Sequence, residues 1–236
     1  MTKFMPHDLT SIFQLLIRLI LLNGLFLGSN LPLLITFLIF GIDQSQQSPW
    51  LFFAASFTLG PALIALFRSS FAVIARQDVR IYRLYLGTYR HSFSKELLPI
   101  YLIQLLLFLL SFDRVIYPLI PGLSLLAPVY FLLRLGCLLI LPFMALELAL
   151  FKNPLKAVIK NSLILFFTKP LLHALTIFYV IFSLLIFNEM PASLVLFTFS
   201  LYPYLFISFD YSALTDRITL GKTKQRIERD DLSTNP

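Results

Sequence analysis

Arg76-Gln77-Asp78-Val79-Arg80-Ile81-Tyr82-Arg83 begins a stretch that runs on through Arg90 to Lys95 and separates two long apolar segments. Its meaning comes from the other gaps between apolar segments, because positive charge concentrates in every second one. Gly41 to Pro49, the gap before it, holds no Lys or Arg, and Ser111 to Ser124, the gap after it, holds only Arg114. The next gap carries Lys152, Lys156 and Lys160, the one around Asn188 to Pro191 has none, and the tail carries Arg217, Lys222, Lys224, Arg226 and Arg229. Cytoplasmic loops of membrane proteins collect Lys and Arg, so the alternation predicts six spans with both ends cytoplasmic.

Composition agrees. With 58% hydrophobic residues, 25 Phe, 13% charged residues and a mean hydropathy of +0.83, the 236-residue chain has too little polar surface to coat a water-soluble globule. The expected fold is an all-α polytopic bundle in one integral membrane domain. Its spans are expected at about 12–40, 50–75, 97–120, 125–151, 163–187 and 192–214, followed by a basic, disordered cytoplasmic tail over 215–236. Six helices of roughly 20 residues leave no room for a separate soluble domain. The apolar run from Leu9 to Phe40 exceeds the apolar region of a cleavable signal and reads as an uncleaved first span, with Gly28, Ser29, Asn30 and Pro32 as a place to kink. The predicted location is the cell membrane, multi-pass.

Two cytoplasmic segments read as basic interfacial helices. Between Asp78 and Leu97, Tyr82, Leu86, Tyr89 and Phe93 recur every three or four positions, with Arg80, Arg83 and Arg90 mostly on another side. After Asn153-Pro154, Lys156 and Lys160 stand four apart and extend upstream to Lys152, with Leu155, Val158 and Ile159 opposite. Arg76, Arg80, Arg83, Arg90, Lys152, Lys156 and Lys160 are therefore expected to face anionic headgroups or a protein partner. Phe93-Ser94-Lys95-Glu96-Leu97-Leu98 also aligns with Phe167-Thr168-Lys169-Pro170-Leu171-Leu172, the trace of a duplicated unit of span, basic helix, span. Although the net charge is +7, cations in short loops beside apolar spans have lipid as their nearer partner, so nucleic acid is not expected.

No catalytic or metal site is expected. His7, His91 and His173 fit no ligand spacing, and Cys137, the single cysteine, allows neither a disulfide within the chain nor a thiolate cluster. Phosphate-binding glycine loops and a hydrolase elbow are absent, so neither enzyme activity nor a cofactor is predicted. Polar groups at membrane depth stand out instead. Arg134, about 15 Å into its span, is expected near the midplane within reach of Asn23. Arg18, Arg68, Glu147 and Asp210 fall near cytoplasmic helix ends, where pairs such as Arg68 with Glu147 or Arg18 with Asp210 would lock helices together.

Leu22-Asn23-Gly24-Leu25-Phe26 followed by Ser29-Asn30-Leu31-Pro32 resembles the opening N-L-L-[WF]…S-L-P signature of the YesL-like family, bacterial multi-spanning proteins of unknown function. Gly60-Pro61-Ala62 with Ala65-Leu66 is similar to that family's G-P-A-x-x-A-L element. Leu141-Pro142-Phe143, and Leu155-Lys156-Ala157 with Asn161-Ser162-Leu163, resemble its later F-P-L and L-K-N-A-L elements. The interval between the first two elements is longer here than the family usually keeps. The resemblance implies association with binding-protein-dependent carbohydrate uptake and brings no catalytic residues. The function expected on this basis is a non-enzymatic accessory or regulatory component of such uptake, a transporter subunit or other membrane partner being implied. A small-solute carrier built around Arg134 and Asn23 is the alternative. Lys152 to Ser162 lacks the E-A-A…G loop through which permeases couple to an ATPase.

Overall fold

A computed structural model describes residues 9–40, 49–75, 80–93, 97–112, 123–151, 153–189 and 198–234. Every regular element among them is helical: α1 Leu9–Ser29, α2 Leu31–Phe40, α3 Pro49–Ala55, α4 Leu59–Ile74, α5 Ile81–His91, α6 Leu98–Leu110, α7 Ala127–Leu150, α8 Leu155–Thr168, α9 Pro170–Glu189 and α10 Phe199–Thr234, with short 3-10 turns at Ser56–Thr58 and Leu123–Leu126. Among the described residues, three stretches are long and apolar enough to cross a membrane: Ile12–Ser29, Pro49–Ile74 and Ala127–Leu150. The pair α8 and α9, bent by 84° at its break, makes a fourth if it is counted as one span.

The other expected spans are broken or only partly described. The expected span 12–40 breaks at Asn30, within the Gly28–Pro32 stretch expected to kink, where Pro32 has no N–H to offer Gly28 O. Helix α6 accounts for 13 apolar residues of the expected span 97–120, and 113–120 lie outside the described residues. The expected span 163–187 is broken at Lys169-Pro170. Proline has no N–H to donate to Phe166 O and forces the preceding residue out of the α region, and Lys169 accordingly sits at φ −119°, ψ 60°. Helix α10 is described from Phe199, and residues 192–197 of the expected span 192–214 lie outside the described residues. Helix α10 continues over the segment expected as a tail to Thr234.

Helix α4 is the hub. Small residues along it, including Gly60, Ala62, Ala65, Ser69 and Ala72, are buried and let four helices, α1, α5, α7 and α10, approach it closely. One core unites Phe67 of α4, Phe143 of α7 and Phe206 of α10, whose rings stand 5.2 to 5.8 Å from that of Phe206. A second joins Leu22 and Phe26 of α1 to Ala65, Leu66 and Val73 of α4 and to Ile81 and Tyr85 of α5. Helix α6 packs on the first half of Pro49–Ile74: a Cβ on Gly60 would lie 3.2 Å from Ile100 and 3.3 Å from Leu97, while Phe108 meets Trp50 and Phe53 at the other end. Pro61 removes the N–H that would have served Phe57 O, and the Tyr101 hydroxyl donates to that carbonyl instead at 3.4 Å. Helices α9 and α10 run antiparallel, pairing Lys169 with Asp210, Thr176 with Tyr202, and Tyr179 with Thr198.

Candidate functional site

Polar side chains inside the bundle serve as joints between helices. The fully buried Asn23 accepts the backbone N–H of Phe199 at 2.8 Å and of Ser200 at 3.2 Å, so α1 supplies the cap of α10 from 176 residues away. Half-buried Arg134 donates to the carbonyl of Leu110, the last residue of α6, placing a cation at the negative end of that helix. Asn23 and Arg134 thus each make a joint to a helix end.

The expected charge pairs also form with other partners. Glu147, 0% exposed, has Arg217 Nη2 2.7 Å from Oε1, while Asn153 and Asn161 donate to Oε2 at 3.2 and 3.3 Å. The Arg217 guanidinium also lies over the Phe151 ring, 4.8 Å from its centroid. One carboxylate thereby ties the end of α7 to the following turn, to α8 and to α10. Asp210 is paired with Lys169 at 2.6 Å, the residue at the break between α8 and α9. Arg68, proposed from sequence as the partner of Glu147, is exposed on α4, and Arg18 is half-buried on α1. Asp210 and Arg217 stand seven apart, two turns along the same side of α10, so one face of that helix carries both joints.

Sequence reading missed Lys169, Arg217 and His173. A cation next to a proline within an apolar run was the signal for Lys169, and the seven-residue spacing from Asp210 was the signal for Arg217. His173 Nε2 lies 2.5 Å from Phe166 O, the carbonyl that Pro170 cannot serve, so Nε2 must carry the proton. Its ring packs against Phe166 and Phe143, centroids 4.4 and 5.2 Å away. This is the repair of a broken helix, and no group of three metal-ligating side chains occurs among the described residues.

The basic helices are present with altered faces. On α5 the docked side is Ile81, Tyr85 and Thr88, whereas Tyr82, Leu86 and Phe93 of the expected apolar stripe are exposed. Arg80, Arg83 and Arg90 are exposed on a third side. Tyr85 donates to Ser29 Oγ at 3.2 Å and Tyr89 to Ser29 O at 3.4 Å, which ties α5 to the end of α1. Burial pushes the Tyr85 phenol well above its ordinary pKa, against the opposing effect of the Ser29 hydrogen bond, so this joint stays protonated. On α8, Val158, Ser162 and Leu165 are buried, and Lys156 and Lys160 are exposed. Arg76 and Lys152 lie outside the described residues. Compared with known proteins, the chain matches no family model, no curated protein and no solved structure.

Proposed function

We propose that this chain is a six-span membrane protein with both ends cytoplasmic, acting without catalysis through protein partners. Its place would be that of an accessory or regulatory component, and the resemblance to YesL-like proteins points to carbohydrate uptake as the process. The observation that carries this reading is the use of the intramembrane polar groups. Asn23, Arg134, Glu147, Asp210, Lys169 and Arg217 all join helices, and they build a braced scaffold on which α5 presents Arg80, Arg83 and Arg90 outward.

Two experiments test it. A fluorescent protein fused after Pro236 is expected to fold and fluoresce, as cytoplasmic fusions do; a dark, externally protease-sensitive fusion would reverse the orientation. Affinity purification in mild detergent is expected to retain a membrane or ATPase subunit with the natural chain and to lose it from the Arg80→Glu, Arg83→Glu, Arg90→Glu variant. Identical co-purifying proteins from both would remove α5 as the docking surface.

A further inference from the structure

We propose that the outward face of α8 is a binding site for an anionic phospholipid of the surrounding leaflet, its phosphate held by Lys156 and Lys160 and its acyl chains lying on Leu163, Ile164 and Phe167. These five residues line an open groove of about 600 Å³. The opposite side of α8 is fixed: Val158, Ser162 and Leu165 are buried, and Asn161 donates to Glu147, so the helix cannot roll its cations away from the groove.

Charge and apolarity on this face are separated along the helix axis. The two lysines, one turn apart, stand at the beginning of α8, while Leu163, Ile164 and the 77% exposed Phe167 follow toward its end. A phospholipid has the same order, an anion at one end and hydrocarbon at the other. No Asp or Glu occurs in α8, and neither lysine meets a carboxylate among the described residues. Past the break, Leu171, Phe178 and Ile181 of α9 are all strongly exposed along a 20-residue apolar helix. Exposed hydrocarbon on the next helix suits a lipid environment and favours a lipid over a protein as the occupant. The 84° bend at Lys169-Pro170 turns α8 across the axis of α9, so a spanning α9 sets α8 at headgroup level, where lysine stems can lie on hydrocarbon and their ammonium groups can reach phosphate. Helix α5 differs, with its cations and exposed apolar residues on neighbouring sides of the helix along its whole length.

The test titrates the purified full chain in neutral detergent with phosphatidylglycerol, phosphatidylcholine of the same chains, or inorganic phosphate. The readouts are the melting temperature and the lipids retained in native mass spectrometry. Phosphatidylglycerol alone is expected to raise the melting temperature and to remain bound. Lys156→Gln with Lys160→Gln is expected to weaken it about 30-fold, roughly fivefold per cation near an anionic surface, and to leave melting without lipid unchanged. Arg80→Gln, Arg83→Gln, Arg90→Gln is expected to retain the effect. Several results would overturn the proposal: no response to phosphatidylglycerol, an equal response to phosphatidylcholine, an equal response to inorganic phosphate, which would identify a soluble anion, or an unchanged response in the lysine variant. Loss of a co-purifying protein from the lysine variant, with lipid binding intact, would assign the groove to a protein.

Discussion

Arg217→Ala is expected to lower the melting temperature by about 10 °C. The substitution removes the cation beside Glu147 and leaves that fully buried carboxylate with only the two amide donors of Asn153 and Asn161. Breaking a buried pair from one side costs about 3–5 kcal/mol, which for a chain of this size corresponds to a shift of that order. The loss should come from the stranded charge rather than from the missing side chain. Glu147→Gln with Arg217→Met keeps an oxygen for the asparagines and an apolar stem against Phe151, and is expected to recover at least half of the shift. Cys137 makes the measurement direct: it is the one cysteine of the chain and is buried, so a thiol-reactive dye reports its release on heating. A shift under about 2 °C in Arg217→Ala would show that the pair contributes no net stability. A double variant as unstable as the single one would place the loss in the attraction of the guanidinium for Glu147 and the Phe151 ring rather than in a stranded charge. The Lys169 and Asp210 pair should respond less: the two cations are equally open, 34% and 35% exposed, but the Asp210 side chain is 10% exposed where that of Glu147 is 0%, so water can take over part of the partner's role.

Helix positions governed by water avoidance were legible in the sequence, and positions governed by packing were not. Pro49–Ile74 and Ala127–Leu150 fall within a few residues of the expected 50–75 and 125–151, since a long apolar run between polar gaps has one simple solution in a bilayer. Hydropathy cannot distinguish a side chain facing lipid from one facing another helix, because lipid tails are as apolar as leucine. That is why the docked face of α5 could not be read from the stripe: Tyr82, Leu86 and Phe93 form a genuine apolar stripe that stays exposed, while Ile81 and Tyr85, about a third of a turn away, pack on the bundle. Small residues would have been the better guide, and their density in α4 marks the hub. The Lys169-Pro170 break was written in the chain, but the apolar residues on both sides masked it.

Depth alone also misassigned the polar partners. Reading Glu147, Asp210, Arg18 and Arg68 as lying near one membrane level was enough to predict neutralisation, but pairing depends on rotation about each helix axis. Arg68 turns outward from α4, so Arg217 neutralises Glu147. Asparagine posed the harder problem, since its partner is backbone and has no sequence signature.

The second large effect is expected from Asn23→Leu, a change that preserves side-chain size and removes both polar atoms. In water the first N–H groups of α10 would find solvent, but Asn23 and Ser200 are fully buried, and an unsatisfied backbone donor in such a place costs about 1–3 kcal/mol. Two donors lose the Asn23 oxygen, so a loss of about 3 kcal/mol and a shift of about 8 °C follow, read by the same Cys137 assay. Asn23→Asp gives the complementary result. Its carboxylate can still accept both N–H groups at the positive end of a helix, so it should retain more stability than Leu even though it adds a buried charge. This contrast separates capping from solute contact. If Asn23 served a transported molecule, Leu and Asp would both abolish uptake while melting stayed near that of the natural chain. If it caps α10, melting falls in Leu and less in Asp. Equal melting of all three proteins would end the capping assignment and return Asn23 to the list of residues available to a ligand.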